Sequence, residues 1–389
     1  MKKIVLIVGL FILVCLGTDL RAQQATSSIA SESPILARGT RPLGMGNAFL
    51  AMPGTDENAM FYNPAAINDY EKKFHFRFLS PTFDISTGSI GLLKDVFDLA
   101  NDIDDQTTSA GKISTFRTFV NQHTGQFESV GFHLPLVQVM HKWFSIALLA
   151  DSRNTVSFRN RSFTNIEIMS QSDFGVNLGG AYAFFDDRLQ TGLNLKIIHR
   201  LSVDQAITTN DIVNNATFDD TLPRRRATGV GVDLGLKYRM PTFGISVFEW
   251  LNPAFGFTWQ DVGNTRFAGL VPDTEQSVSI GTTVSHQFGS NEVPVKNWNW
   301  SFATDVREMN QDSTFAKKIN FGTELQFPQY WGFFRPAVRV GANQLYFSGG
   351  TTLDFKYAKL EFATYGEEAG KFSRNKQLRR INGSLSFGF

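Results

Sequence analysis

The sequence contains no long apolar run outside its N-terminus. The longest extends from Ile4 to Leu16, whereas a transmembrane helix needs roughly 18 or more apolar residues. A helical membrane protein is therefore excluded. If the chain spans a membrane, it must do so with strands.

Cysteine is also nearly absent, because Cys15 is the only one and lies inside that apolar run. Basic residues precede the run, and Leu20-Arg21-Ala22 ends in a small residue, so residues 1–22 are predicted to be a cleavable signal peptide. Cys15 would leave with the peptide, and the mature chain would have no thiol. The alternative is a lipoprotein acylated at Cys15, but Val14 is not the small residue expected before such a cysteine.

Catalytic and metal-binding patterns are missing as well. None of the six histidines has His-Glu-x-x-His spacing, no Gly-x-Ser-x-Gly elbow occurs, and Gly44 and Gly46 lack the third glycine of a dinucleotide loop. The formal net charge of +1 gives no reason to expect a nucleic-acid partner. The sequence therefore predicts a protein that is not an enzyme and that has neither cofactor nor metal.

Alternation of apolar and polar residues dominates the C-terminal two thirds of the chain. Between 276 and 288, one face carries Val278, Ile280, Val284 and Phe288, and the other carries only small or polar residues. Between 228 and 240, the polar face includes Asp233, Lys237 and Arg239. Charges on the polar face suit both a soluble sandwich and the wet lumen of a large barrel. The 10–12-residue windows favour the barrel, because strands that cross a bilayer need about 9 to 11 residues.

Seventeen windows are candidate strands, and some short ones are expected to merge. They are 74–79, 82–90, 127–139, 143–151, 154–168, 173–184, 189–200, 228–240, 243–250, 253–260, 276–288, 296–307, 317–327, 334–344, 346–357, 358–365 and 379–389. Single-chain bacterial barrels have even strand numbers, so we predict an all-β, transmembrane antiparallel barrel of about 14 strands, with 16 as the alternative. His286, on an apolar face near a strand end, is expected at the membrane interface. The terminal Phe389 resembles the signal read by the outer-membrane barrel assembly machinery.

Polar stretches at 97–115, 201–227 and 366–378 interrupt the alternation and are expected to be outer loops. The first contains Asp98, Asp102, Asp104 and Asp105, which could ligate calcium, but the glycine and distal glutamate of an EF-hand are missing. A solvated loop is favoured. In the second stretch, Arg224, Arg225 and Arg226 could pair with lipopolysaccharide phosphates, although an ordinary solvated charge run is the favoured interpretation.

The block before the barrel has no strand alternation. It contains Gly44, Gly46 and Asn47 in a small-residue stretch, followed by Asn63-Pro64-Ala65. Asp56 can cap a short helical turn, which Pro64 would end by forcing Asn63 out of the helical region. Small residues here can pack closely against a wall, namely Gly44, Gly46, Ala48, Ala65 and Ala66. We therefore predict a plug, or hatch, inside a barrel too wide for its own side chains to fill. For Asn63, a latch that holds this hatch and a simple Asn-Pro turn are equally compatible with the sequence.

This block resembles the N-terminal hatch of the FadL/TodX long-chain fatty-acid transporter superfamily, which includes PorV-like members. The resemblance is carried by Leu43-Gly44-Met45-Gly46-Asn47-Ala48-Phe49 and Asn63-Pro64-Ala65, and near the other end by Arg339-Val340-Gly341-Ala342-Asn343, Ala363-Thr364-Tyr365 and Ser386-Phe387-Gly388-Phe389. It implies a 14-stranded barrel closed by a hatch, with a lumenal pocket and a lateral opening for hydrophobic molecules. The middle of the chain matches only in its alternation.

The expected organisation is a signal peptide (1–22), a hatch segment (23–73) and a barrel (74–389) in the outer membrane of a Gram-negative cell. The expected function is uptake of hydrophobic small molecules such as long-chain fatty acids. The alternatives are a PorV-type shuttle or scaffold in protein secretion and, less favoured, an open porin. The expected partners are outer-membrane lipids and lipopolysaccharide, the barrel assembly machinery, a hydrophobic ligand and, under the shuttle alternative, secretion components.

Overall fold

A computed structural model describes residues 38–54, 56–70, 74–160, 164–209, 224–289, 297–369 and 377–388. The expected signal peptide (1–22) and Phe389 lie outside these residues, and so does 71–73, where the predicted boundary between hatch and barrel falls. The strands are β1 (His75–Phe78), β2 (Thr82–Ser86), β3 (Phe127–His141), β4 (Phe144–Asn160), β5 (Thr164–Phe184), β6 (Leu189–Thr208), β7 (Arg225–Arg239), β8 (Ala254–Gln260), β9 (Ser277–Phe288), β10 (Trp298–Val306), β11 (Ile319–Gln326), β12 (Arg335–Asn343), β13 (Tyr346–Asp354), β14 (Ala358–Glu368) and β15 (Gln377–Gly388).

The strands form one closed antiparallel ladder. Each strand from β3 to β14 pairs with the strand that follows it in the chain. The last strand, β15, pairs with both β1 and β2. Since β1 and β2 also both pair with β3, they are the two halves of one interrupted strand. The barrel therefore has 14 strands with one extra segment, as predicted, and not 16.

The interruption between β1 and β2 coincides with an irregularity in the next strand. Leu79 has a φ of 50°, and Pro81 has no N–H to donate to the ladder. Opposite them, the β3–β4 register shifts between Pro135 and Val137. The ladder continues through this region, because the Leu79 and Ser80 N–H groups donate to carbonyls at 136 and 135.

The predicted assignment of strand faces is confirmed. In β7, Asp233 and Lys237 are buried, whereas Val230, Leu234 and Tyr238 are exposed. In β9, Ser277, Ser279 and Thr283 are buried, whereas Ile280 and Phe288 are exposed. Polar residues therefore face the lumen and apolar residues face outward, the arrangement of a barrel surrounded by lipid.

The two ends of the barrel differ in their connections. We call one end of the barrel the turn end, because β1 starts there and β15 finishes there. One of its connections consists of the two residues between β3 and β4. Its connections carry exposed aromatic rings, as the interfacial girdles of membrane barrels do: Trp143, Phe185, Phe243, Trp331 and Tyr357. The opposite, loop end holds all three predicted outer loops.

Those loops differ in detail from the prediction. The 97–115 stretch is not an irregular loop, because two helices, α3 (Ser89–Asp104) and α4 (Ser109–Gln122), occupy the β2–β3 connection. The apolar side of α4, with Phe116 and Phe119, packs with Phe158 of β4, which explains why this polar-looking sequence folds. In the other two stretches, β6 continues to Thr208 and β14 continues to Glu368. The remainder, at 210–223 and 370–376, lies outside the described residues.

Two predictions of individual strands were wrong. The window 243–250 contains helix α5 (Ser246–Leu251). Proline at 241 and 253 brackets it, and Val247, Trp250 and Leu251 follow helical spacing as well as any strand pattern. The windows 143–151 and 154–168 divide the chain at a different point from the structure, because β4 runs from Phe144 to Asn160 and β5 begins at Thr164, inside the second window. A further short helix, α6 (Phe315–Lys318), precedes β11.

Among the described residues, no helix combines the length and the apolar character that crossing a membrane would require.

Candidate functional site

The N-terminal segment, residues 38–70, lies within the barrel. It forms α1 (Thr40–Gly44), α2 (Ala59–Tyr62) and a 3-10 helix (Pro64–Asp69). Its residues contact inward-facing positions on strands from β3 to β15. Nearly all of its described residues are buried. The helices are too short to be stable alone, so the wall around them must hold them.

A pair of glycines on neighbouring strands receives the Asn63-Pro64-Ala65 motif. Gly192 of β6 lies directly opposite Gly235 of β7 in the ladder. A Cβ on Gly192 would lie 2.3 Å from the Ala65 nitrogen, and a Cβ on Gly235 would lie 2.3 Å from the Asn63 side-chain oxygen. Only glycine permits so close an approach of the motif to the wall.

Two further glycine pairs receive the first part of the segment. Gly256 and Gly281 are opposite each other across β8 and β9. A Cβ on Gly256 would lie 2.5 Å from the Leu50 carbonyl oxygen, and a Cβ on Gly281 would lie 3.0 Å from the Leu50 Cβ and 2.1 Å from the Asp305 carboxylate. Gly322 and Gly341 are opposite each other across β11 and β12, and the backbone of Met45 occupies their space. We call these three pairs the glycine seats.

Gly46 and Asn47 turn the chain after α1. Both have positive φ, 64° and 63°, which glycine and asparagine tolerate best. A Cβ on Gly46 would lie 2.4 Å from the carbonyl oxygen of Phe321. The Asn47 side chain accepts a hydrogen bond of 2.6 Å from the Tyr62 hydroxyl, so the turn is tied to α2.

Asn63 combines both roles that its sequence allows. Its side-chain oxygen accepts from the Ala65 N–H at 3.1 Å, which makes the Asn-Pro turn. Its amide nitrogen donates to the carbonyls of Leu50 at 2.8 Å and of Leu236 in β7 at 3.1 Å. Asn63 is fully buried. The residue therefore joins two parts of the segment to the wall while it forms the turn.

Asp69 ends the 3-10 helix in a ring of donors from the wall. Its carboxylate accepts from Lys237 and Arg239 of β7 and from the Gln190 amide of β6 at 2.7 Å. It also accepts from the Gly54 N–H at 3.1 Å. Burial alone would raise the pKa of Asp69, but Lys237 and Arg239 outweigh it and hold that pKa below its ordinary value.

Arg41 of α1 makes a corresponding contact with another part of the wall. Its guanidinium donates to both carboxylate oxygens of Glu324 in β11, at 2.8 and 2.6 Å, and to Asp56 at 2.7 Å. Arg339 of β12 also donates to Glu324. Asp56 was expected to cap α2, but Asn58 occupies the cap position. The Asp56 carboxylate instead accepts a hydrogen bond from the Asn58 N–H at 3.0 Å.

Glu57 forms a third charged contact with the wall. Its carboxylate lies 3.0 Å from the His75 ring, 3.4 Å from Arg77 and 2.9 Å from Lys359 of β14. Burial opposes its ionisation, but Arg77 and Lys359 outweigh it, so the pKa of Glu57 is held well below its ordinary value. Asp305 of β10 adds a fourth anchor, since it accepts from the Phe49 and Leu50 N–H groups at 2.7 and 3.1 Å.

An apolar cluster fills the centre of this otherwise polar lumen. The segment contributes three methionines and several aromatic rings, the wall contributes inward-facing apolar residues, and the β8–β9 connection contributes Phe267 and Val271. Arg200 lies 4.3 Å from the Phe267 ring centroid and donates to the Pro272 carbonyl at 2.8 Å. Members of the cluster include Met45, Met52, Met60, Phe49, Phe61, Tyr62, Ile67, Met140, Leu149 and Ile198.

Below the segment, a cavity of about 830 Å³ lies towards the turn end. Its lining is polar and rich in cations, among them Arg77, Lys237, Arg335, Lys356 and Lys359. Several of these cations are already paired with carboxylates. The described part of the chain brings together no three His, Cys, Asp or Glu side chains that could hold a metal ion.

The predicted site residues thus fall in one region. Gly44, Gly46, Asn47, Asn63, Pro64 and Ala65 all lie on the segment and all are buried. Their role as a hatch stays a prediction, and so do the lipopolysaccharide role of the arginines at 224–226 and the assembly role of Phe389. The sequence did not indicate the partners in the wall: Asp305, Glu324, Lys237 and the glycine seats. The pattern that could have identified them is a charge or a glycine on the lumenal face of a strand whose other face is apolar.

Closure of the ladder, the apolar outer face and the aromatic girdle define the class: the chain is a membrane-spanning β-barrel of 14 strands.

No protein-family model matches the chain, and no curated protein matches it. Among solved structures, the chain is similar to a mutant TodX monoaromatic hydrocarbon channel, with 12% identity, a TM-score of 0.49, and coverage of 90% of this chain and 98% of that one. It is also similar to the Pseudomonas putida toluene transporter TodX, with 11% identity, a TM-score of 0.45, and coverage of 90% and 97%. A bacterial polysaccharide outer membrane secretin has 10% identity and a TM-score of 0.31 over 82% and 98% of the two chains.

TodX gives its name to the superfamily that the N-terminal motifs resemble. At identities of 10 to 12% and TM-scores below 0.5, the likeness does not transfer the activity of those channels to this chain.

Proposed function

We propose that the protein is an outer-membrane transporter that passes hydrophobic small molecules such as long-chain fatty acids, with residues 38–70 acting as its hatch. The observation that carries the proposal is the apolar cluster around Met45, Met52 and Met60 in the middle of a polar lumen. Methionine is flexible and polarizable, so it adapts to apolar guests of different shape. A small displacement of the segment would expose this surface to a hydrophobic molecule in the lumen.

The contacts of the segment also favour a gated passage over an open pore. The glycine seats, the Asp69 and Glu324 ion pairs and the Asp305 hydrogen bonds hold the segment to the wall on several sides. A water-filled pore with free diffusion needs none of them. Buried ion pairs contribute little net stability but fix one arrangement and can exchange partners. Such pairs suit a hatch that must be held and then released.

Uptake by whole cells tests this proposal. A strain without the gene should take up radiolabelled oleate more slowly than the parent strain, and the intact gene on a plasmid should restore the rate. Uptake of a small sugar should be the same in all three strains, which controls for a general change in permeability. Equal oleate uptake with and without the gene, with the protein shown to be present in the parent, would contradict the proposal.

A second candidate is a PorV-type shuttle or scaffold in protein secretion. The observation that favours it is the polar, cation-rich lining of the 830 Å³ cavity at the turn end, which suits a polar partner better than an apolar solute. Under this alternative, deletion of the gene should remove a set of secreted proteins from the culture medium and leave oleate uptake unchanged. The two candidates therefore predict opposite results in the same pair of strains.

A further inference from the structure

β9 extends beyond its neighbour β8 near the turn end. Its residues 277–283 pair with β8, whose ladder begins only at Ala254, opposite Thr283. Residues 284–288 pair with β10 and lie past the last pair with β8, so this part of β9 forms an edge beside the end of β8.

Helix α5 covers this edge from outside. The ring of Trp250 stacks on that of His286 with 4.4 Å between centroids, and the Trp250 carbonyl lies 2.8 Å from the His286 ring nitrogen. Ile245 and Val247 are about half exposed. An apolar face of this kind fits the membrane interface, where His286 was predicted to lie from the sequence.

A cavity of about 460 Å³ passes around the same edge. Ser285 and Gln287, from the lumenal face of β9, line it together with His286, from the outer face. A cavity that touches both faces of one strand must pass around its edge, here the part of β9 that extends beyond β8. It also shares Asn252 and Gln326 with the large cavity, so it connects the lumen with the surface under α5.

The chemistry of the lining changes along this path. The outer part carries the Trp250, His286 and Trp300 rings, and the inner part carries neutral groups such as Ser285 and Asn299. Two of its three charged side chains, Arg41 and Glu324, are paired with each other. The third, Glu249, is exposed, and no salt bridge joins it to a cation within the described ranges.

We propose that this cavity binds a membrane phospholipid whose head group carries an ammonium. The head group would lie beside Glu249 and the aromatic rings, which attract cations through their π faces, and the acyl chains would lie along the apolar face of α5. The site does not depend on the transport function proposed above.

Native mass spectrometry of the full-length protein in detergent tests the site. Phosphatidylethanolamine carries an ammonium and phosphatidylglycerol does not. With equal amounts of the two added, the protein should retain phosphatidylethanolamine about tenfold more, a difference of the size expected for one good charge interaction, about 1.4 kcal/mol. Equal retention, or preference for phosphatidylglycerol, would overturn the proposal.

Three variants locate the site. Glu249→Gln should abolish the preference between the two lipids, Trp250→Ala should weaken retention of both, and Ser285→Trp should fill the inner part of the cavity and also reduce retention. Trp331→Ala is the matched control, because Trp331 is an exposed ring in another connection at the turn end. Unchanged preference in Glu249→Gln would show that the lipid binds elsewhere and would overturn the assignment. Heat-dependent gel mobility verifies that each variant is folded, and the filled-cavity variant decides the matter if Glu249→Gln does not fold.

Discussion

Gly192 of β6 faces Ala65 of the N-terminal segment so closely that a Cβ on Gly192 would lie 2.3 Å from the Ala65 nitrogen. The contact joins a strand of the barrel wall to a motif 127 residues earlier in the chain. The other atoms near this Cβ belong to the backbone of Pro64, so no flexible side chain can move aside. The wall and the segment therefore fit only while this position is glycine.

Gly192→Val should displace the segment and leave the barrel intact. Valine suits a strand, so the ladder should form, but the Asn63-Pro64-Ala65 motif cannot keep its place. We expect protease cleavage within residues 38–70 and frequent current openings in planar bilayers. Gly180→Val is the control, since Gly180 of β5 has open space where its Cβ would be. Equal protection of the segment in both variants would contradict this account of the glycine seats.

Asp69→Asn should loosen the 3-10 helix. The change leaves the buried Lys237 ammonium without its carboxylate, and breaking a buried pair from one side costs about 3 to 5 kcal/mol. We expect faster hydrogen exchange of the amides at 65–69 than in the unmodified protein. Asp187→Asn, at an exposed position in the β5–β6 connection, should leave that exchange rate unchanged. A slow rate in Asp69→Asn would show that β7 does not hold the helix through Asp69.

Acid should release the segment only at low pH. The pKa values of Asp69 and Glu57 lie below their ordinary values of 3.8 and 4.5, so their ion pairs contribute stability that is fully present above those values. That contribution is lost as pH falls through the lowered pKa values of the folded state. Bilayer current should therefore stay near zero from pH 7 to pH 5 and rise only below about pH 4. Opening between pH 7 and pH 5 would show that the Asp69 and Glu57 pairs do not control the release of the segment.

The sequence was sufficient to predict the barrel, the faces of its strands and the position of its last strand. Alternation is a local property, and Asp233 and Lys237 already stand on the polar face when β7 is read alone. Short or bracketed segments were harder to predict. Residues 246–251 carry too few apolar positions to separate a helix from a strand, and α4 is helical because its Phe116 and Phe119 pack on β4.

The wall of the site could not be read from the sequence. The glycine seats exist because the ladder places Gly192 opposite Gly235 and Gly322 opposite Gly341, and that register depends on every connection between the strands. Residues that meet from distant parts of the chain, such as Arg41 and Glu324, leave no local signal in a single sequence. The motif residues of the segment itself were identified because they lie close together in the chain.

Deletion of Phe389 should reduce assembly and leave export intact. This aromatic residue is predicted to act in insertion, a step that follows secretion across the inner membrane. We expect less protein in the outer-membrane fraction and more in the periplasm or its proteolysed products. Normal amounts in the outer membrane would contradict an assembly role for this residue.

Residues 38–70 are expected to close the lumen. Deleting residues 38–66 from the mature chain should leave a folded barrel, because the strands after Phe74 supply every ladder bond. A 14-stranded lumen is too wide for its own side chains to fill, so the deletion should admit ions. Asn63→Ala, which removes the Leu50 and Leu236 contacts, should give only brief openings.

Conductance in planar bilayers measures whether the lumen is open to ions. The intact protein should have a conductance near zero, and the deletion should have a steady ohmic conductance. An intact protein that already conducts as the deletion does would contradict this expectation, because the segment would then lie in the barrel without closing it.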